Sequence, residues 1–499
     1  MQRDFSTLLD MTRSLLERRT TLWIVSALIV LLFVATNLPW QLDDYDQAKQ
    51  AYTSFEIVNA GHWFYQHTPH ERIATKPPLV GWISAALFAI TRSWELAWRL
   101  PSLLAAVALL ILLFRAASAS DGSATGLIAS SAFGLNLLTP RLATLVRTDM
   151  PLALVIFLIG LFIWKKIRAQ TAWTMRDRVS IFLLLTAGML IKGPIVYAFL
   201  LPGIATAVVY DRRKILNAWC GWWPWLASLV IFLVWAIGGV IFQPGFFDQV
   251  VLHEFLGRFS ETVHRPQPVY FYLPHLLHKF APWSVLILAL ALFGVEKPDR
   301  LNRSSLEARN ARRFPPGMVW LIGWALGGLI VMSLVPSKRV DRIFPVIPPL
   351  CLLLAAQLGA APKDETRRQR IWWWSAVALV LSIVFATIYT GLKVMAAYRE
   401  HRDALVQFGR DVRAETERHQ WRYAVISTGD EGLLLYLRQL HFVTPATAVA
   451  QWNGGQIDAL VTTENSAPGL MRQLHDASFS GLRSHPSGRD NIVYVLITH

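Results

Sequence analysis

The chain has 499 residues, of which 54% are hydrophobic and 16% charged, and a formal charge of +15. Apolar runs of about 20 residues recur along most of its length, which is what a bilayer core of about 30 Å requires. Their uniform apolarity excludes an amphipathic soluble fold, and also the short alternating strands of a membrane barrel. The positive excess sits in short tracts beside these runs, at Arg115, 165–168, 212–214, 312–313 and 367–368. That is the pattern of cytoplasmic loops, not of a surface for nucleic acid. Cys220 and Cys351 lie in or near apolar segments and offer neither a disulfide framework nor a zinc spacing.

In chain order, the first span is about 21–40, with Arg18 and Arg19 before it. No small-residue cleavage site follows, so it reads as a retained helix with a cytoplasmic amino terminus. Behind it comes DDYDQAKQAYTSFEIVNAGHWFYQHTPHERIATKPP, residues 43–78. Charges of this density at a bilayer surface are costly unless they meet a partner or a ligand. Residues 79–91 form an apolar run too short to span, and read as a helix lying along the membrane. With that choice every basic tract falls on the cytoplasmic side. The further spans are then about 96–116, 122–141, 150–165, 179–193, 195–210, 220–243, 283–296, 316–335, 343–361 and 371–392. The expected architecture is a polytopic α-helical membrane protein of about 11–13 transmembrane helices, residues 1–392, with outer loops at 41–95 and 243–282.

The 243–282 loop mixes aromatics with His253, Glu254, Arg258, His264, Arg265, His275 and His278. An aromatic interface belt accounts for this composition, and its arginines also suit phosphate. After residue 392 charged residues become frequent and spanning runs cease. A helix over 395–418, strands over 422–428, 459–462 and 491–498, and a helix over 431–440 predict a small α/β domain, residues 393–499. It carries no glycine-rich phosphate fingerprint and reads as a guiding or stabilising module. An odd number of spans places it outside.

The segment DQAKQAYTSFEIVNAGHWF, then TKPPLVGW, then RLPS at 99–102 resembles the opening of bacterial glycosyltransferases of the protein O-mannosyltransferase superfamily. Within it, the lipid A aminoarabinose transferase branch is the nearest in pattern. RTDMPL at 147–152, LIKGP at 190–194, PVYFYLPHLLHKFAPWS at 268–284 and SKRVDRIFPVIPPL at 337–350 extend the likeness over about the first 350 residues. The resemblance implies a GT-C-like fold and sugar transfer from an undecaprenyl-phosphate carrier on the periplasmic face of a bacterial inner membrane. Asp46 and Asp149 fall on the family's loop aspartates, and Lys76 on the lysine before two prolines. Gln47 stands where the family often has Glu, Lys49 where it has Arg, Thr75 where it has an acid, and Phe344 where it often has Tyr.

Breaking a sugar–phosphate bond develops negative charge on the leaving phosphate, so fixed cations in a water-poor site give the largest assistance. Lys76, Lys49, Lys192, Arg258, Arg265 and Lys338 are the candidates, although lysines near helix ends also snorkel. A hydroxyl acceptor needs a base, for which Asp46 is the first candidate and Asp149 the second. Helix capping is the plainer role for Asp43 and Asp44, and competes at Asp149. No cofactor is fixed; a divalent cation is compatible with the chemistry, and His253 and Glu254 are the candidate ligands, although adjacent helical positions point apart. The expected partners are a polyprenyl-phosphate-linked sugar, a lipid or glycolipid acceptor and membrane lipids, with no nucleic acid. A protein hydroxyl acceptor is the alternative within enzymes. A secondary transporter or flippase is less consistent, since the notable charges sit at span ends and no internal repeat occurs.

Overall fold

The computed structural model describes residues 12–42, 44–210, 218–258, 266–294, 315–360, 364–426, 431–486 and 491–499. Among these, six helices are long and apolar enough to cross a membrane: Trp94–Asp121, Asp149–Ala169, Trp223–Phe242, Pro316–Leu334, Val340–Gly359 and Glu365–Arg399. A seventh span arises if the pair Val269–Lys279 and Trp283–Leu292, bent by 103°, is counted as one. Arg19–Ala35, Leu79–Thr91 and Ile195–Tyr210 are shorter apolar helices. The chain is a multi-pass helical membrane protein.

Several helix ends differ from the sequence reading for local reasons. The run expected over 122–141 breaks after Ser123–Gly134, where the Asn136 side chain accepts from the Leu138 and Thr139 N–H groups, each at 2.9 Å. An Asn oxygen competing for backbone donors in this way closes a turn in place of a helix. The last span runs to Arg399, beyond the expected residue 392. The helix expected over 395–418 begins only at Ala404, after His401 adopts a left-handed φ of 50°. The 79–91 run is the expected 13-residue helix, closed by Arg92 in the left-handed conformation.

The chain separates into two compact units. The first comprises residues 1–34, 102–144 and 148–389. Small residues let its helices approach closely, the general solution where lipid supplies no hydrophobic drive. Ile195–Tyr210 packs along Pro316–Leu334, and a Cβ added at Gly203 would lie 2.9 Å from the Trp324 Cα. Trp320 Nε1 donates to the Gly160 carbonyl at 3.1 Å, and Trp324 stacks on Phe157.

The second unit comprises residues 35–101, 145–147 and 390–499. Its sheet has the order β1 (Tyr423–Val425), β2 (Ala459–Thr463), β4 (Tyr494–Thr498), β3 (Ser478–Arg483). β1 and β2 are parallel, and β4 runs antiparallel to both of its neighbours. Alternate strand residues enter different cores, as the period of two requires. Val425, Ala459, Val461, Tyr494 and Leu496 face one core, while Leu460, Val495 and Ile497 face another with Trp452 and Ala448. β3 escaped the sequence reading because SFSGLR is an exposed edge with little apolar alternation. The helices Pro445–Asn453 and Ala467–Met471 were likewise not expected.

The first of these cores also contains Tyr52, Phe55, Trp94 and Trp98. The helix Tyr45–Ala60 is therefore built into the same unit as the carboxy-terminal sheet, with Glu431–Tyr436 packed on it. Tyr52 donates its hydroxyl to the Leu440 carbonyl at 2.6 Å, and the Tyr436 hydroxyl accepts from the Leu42 N–H at 2.7 Å. Arg438 pairs with Glu95 at 3.1 Å and lies over the Trp98 ring.

Two substitutions test this packing. Gly203→Val forces branched carbon atoms against backbone and should cost about 1–3 kcal/mol, read as a lower melting temperature in detergent. Tyr52→Phe orphans one carbonyl bond and should cost about 1 kcal/mol by the same measurement.

Candidate functional site

Within the second unit, the helix Tyr45–Ala60 is started by Asp44, whose Oδ1 accepts from the Gln47 N–H at 2.9 Å. Asp44 thus takes the capping role open to it in the sequence; Asp43 lies outside the described residues. Asp46 falls in the first turn, where a carboxylate is favoured by the helix dipole. The Arg147 guanidinium donates to Asp44 Oδ2 at 2.8 Å and approaches Asp46 Oδ2 at 3.8 Å. Gln47 is buried, and its amide oxygen accepts from the Val146 N–H at 3.3 Å. The stretch 145–147 is therefore held against this first turn by a backbone contact and a shared cation.

Lys49 lies one turn on, on the face that carries Asp46. Its Nζ donates to Thr75 Oγ1 at 3.3 Å and stands 5.8 Å from the centre of the Tyr45 ring. The hydroxyl of Thr75 is thus an acceptor for Lys49. The half-buried Lys76 follows directly. Asp46, Lys49 and the Thr75–Lys76 step are thereby brought together on one unit.

At the far end of the same helix, buried Glu56 accepts from His62 Nδ1 at 2.7 Å, His67 Nδ1 at 2.8 Å and the His67 N–H at 2.6 Å. Burial pushes the Glu56 carboxyl up, but these hydrogen bonds outweigh it and hold it below its ordinary value. The bond to Glu56 raises the His67 imidazole in turn, against its burial.

In the first unit, Asp149 opens the helix Asp149–Ala169, with Thr148 rather than Asp149 at the cap position. Lys192 ends Met175–Lys192 and pairs directly with Asp149, both side chains being largely buried. Lys192 is thus a counter-ion and does not snorkel. Lys338 is buried and donates to the Gln267 carbonyl at 2.9 Å, and its burial lowers the ammonium pKa. His253 and Glu254 lie in the π-helical turn Phe247–Phe255. Among the described residues, the group whose donor atoms converge as metal ligands is Glu56, His62 and His67, not this pair. The Arg258 side chain and Arg265 lie outside the described residues. A cavity of about 370 Å³ opens beside Asp121, Trp164, Arg168 and Gly359, and no sequence-derived site residue lines it.

Arg147 and the two histidines were missed by sequence reasoning. Arg147 stands inside the quoted RTDMPL motif, and a cation two positions from a candidate aspartate was the available signal. The histidines gave none, because their spacing from Glu56 matches no familiar metal pattern.

These features define a class, a multi-pass helical membrane protein with ion-paired carboxylates at helix starts. Residues 75–238 match the family described as dolichyl-phosphate-mannose-protein mannosyltransferase. The chain is 24% identical over 369 residues to the undecaprenyl phosphate-alpha-4-amino-4-deoxy-L-arabinose arabinosyl transferase of Enterobacter sp. (strain 638), covering 72% of this chain and 63% of that one. It is 25% identical over 336 residues to its namesake in Yersinia enterocolitica, covering 66% and 57%. The chain thus spans less than two thirds of the length of these relatives. In fold it is similar to ArnT from Cupriavidus metallidurans bound to undecaprenyl phosphate, with a TM-score of 0.64, 18% identity, and 96% and 97% of the two chains covered. The archaeal oligosaccharyltransferase AglB from Archaeoglobus fulgidus matches with a TM-score of 0.51, 13% identity, and 89% and 70% covered.

The Asp149–Lys192 pair can be tested by a double-mutant cycle. Lys192→Met leaves a buried carboxylate without its cation and should cost about 3–5 kcal/mol. Adding Asp149→Leu should recover most of this loss, measured as thermal stability in detergent.

Proposed function

We propose that this chain is a membrane glycosyltransferase that moves a sugar from an undecaprenyl-phosphate carrier to lipid A or a similar envelope acceptor. The observation that carries this reading is the grouping of Asp46, Lys49 and Lys76 on one unit, with Asp46 set in a helix's first turn beside Arg147. The arabinosyl transferase relatives and the fold shared with ArnT support the donor class. The positive-inside pattern supports placing this site and the 393–499 segment on the periplasmic side of an inner membrane.

In this reading the bond between the sugar's anomeric carbon and the carrier phosphate breaks while the acceptor oxygen bonds to the same carbon. Lys76 and Lys49 hold the phosphate as it leaves with its electron pair. Asp46 accepts the proton of a hydroxyl acceptor. Where the acceptor is already an ionised phosphate, Asp46 stabilises positive charge at the sugar instead. Asp149 is the second carboxylate we assign, and Lys192, Lys338, Arg258 and Arg265 are further candidate cations, each assigned from its place in the sequence. The match of 75–238 to the mannosyltransferase family favours a protein hydroxyl as the second acceptor class.

Purified protein supplied with radiolabelled polyprenyl-phosphate sugars and envelope lipids should transfer label to lipid. Asp46→Asn should lower the rate by about 100-fold or more, the scale of lost general-base catalysis. Unchanged transfer in Asp46→Asn would remove Asp46 from the mechanism, and donor uptake into vesicles without transfer would favour transport. Lys76→Ala should reduce kcat/KM for the donor by about 100-fold or more while leaving the melting temperature unchanged.

A further inference from the structure

We propose that Glu56, His62 and His67 form a divalent transition-metal site, with zinc the best match, that fixes the segment leading to Lys76. The three donor atoms, one carboxylate oxygen and two imidazole nitrogens, all lie within 4.8 Å of one another. Two imidazoles and one carboxylate make a ligand set that suits zinc and its neighbours rather than calcium or magnesium. The site has a buried anchor and an open side. The Glu56 side chain is 4% exposed, His67 26% and His62 49%, so an ion has an entry path and a fourth position for water.

The backbone arranges these ligands without regard to the proposed reaction. Glu56 sits in the last turn of Tyr45–Ala60, and Gly61, at φ 75°, turns the chain so that His62 comes back beside it. His67 pairs with Ile73 across a short bridge, flanked by Ala74 N–H to Gln66 O at 2.8 Å and Thr68 N–H to Arg72 O at 2.6 Å. Both rings present Nδ1 to the same carboxylate oxygen, at 2.7 and 2.8 Å. Ligand atoms around tetrahedral zinc stand roughly 3.4 Å apart, given bonds of about 2.0–2.1 Å. Small outward rotations of both rings, His62 and the part-exposed His67, meet this, with each Nε2 carrying the ring's proton.

The position along the helix assigns the role. Glu56 is ten residues from Asp46, roughly 15 Å along the axis at the α-helical rise, so the ion would lie away from Asp46 and not act on it. It would staple the end of the helix to the 66–74 bridge, and Thr75 and Lys76 follow immediately. The site is thus a structural clamp for the segment that presents Lys76, and it stands whether or not the transfer reaction proposed above is correct.

The test uses untagged full-length protein in detergent, stripped with chelator, loaded with zinc sulfate and passed through a desalting column. Mass-spectrometric metal analysis should find one zinc per chain, and His62→Ala and His67→Ala should each retain less than a tenth of it. Cobalt substitution should give the visible absorption of a four-coordinate site in the wild type and not in the variants. Zinc should raise the melting temperature of the wild type but leave that of His62→Ala unchanged, a variant whose half-exposed side chain makes misfolding an unsuitable explanation. Absence of retained zinc in the wild type, or equal retention in the variants, overturns the site.

Discussion

Charge at the ends of helices has to be compensated where it stands, and this requirement organises the residues described above. Arg147 serves Asp44 and Asp46 together, and Lys192 serves Asp149. Each pair joins positions remote in sequence, so each also fixes a chain path. A buried guanidinium can serve two carboxylates because its donors lie in a rigid fork. An ammonium serves Asp149, where a single point charge is enough.

The helix Tyr45–Ala60 shows how one element can carry several duties. Its first turn holds Asp46, its middle buries Tyr52 and Phe55 in the core shared with the carboxy-terminal sheet, and its end presents Glu56. Few of its residues are strongly apolar, so its stability comes from packing and capping rather than from membrane burial. A chemical group on such a helix is positioned by a soluble-type core. That is a stiffer support than a free loop at the headgroup level.

Much of this was legible in the sequence. Apolar run length revealed the membrane class, and the order of short motifs singled out Asp46, Lys76 and Asp149 as candidates. The 13-residue helix at Leu79–Thr91 could be read from length alone. Helix ends set by single side chains or dihedrals, such as Asn136 and His401, were not legible, since hydropathy averages over them. β3 was hidden because an exposed edge has no buried face to impose alternation. The pairing of Arg147 with Asp44 and the convergence of two histidines on Glu56 are tertiary facts, and no local pattern encodes them.

The bond between the Leu42 N–H and the Tyr436 hydroxyl joins residues 394 apart, and β4 lies inside the sheet between β2 and β3 rather than at its margin. During synthesis, the helix that carries Asp46 emerges long before the strands that complete its core. For that interval its apolar side chains lack their final neighbours, and the loop-closure entropy for the contact is among the largest in the chain. The packing of that segment thus depends on residues made at the far end of the chain. A protein that has inserted its spans but not yet closed this sheet would carry the helix Tyr45–Ala60 without the neighbours that fix it.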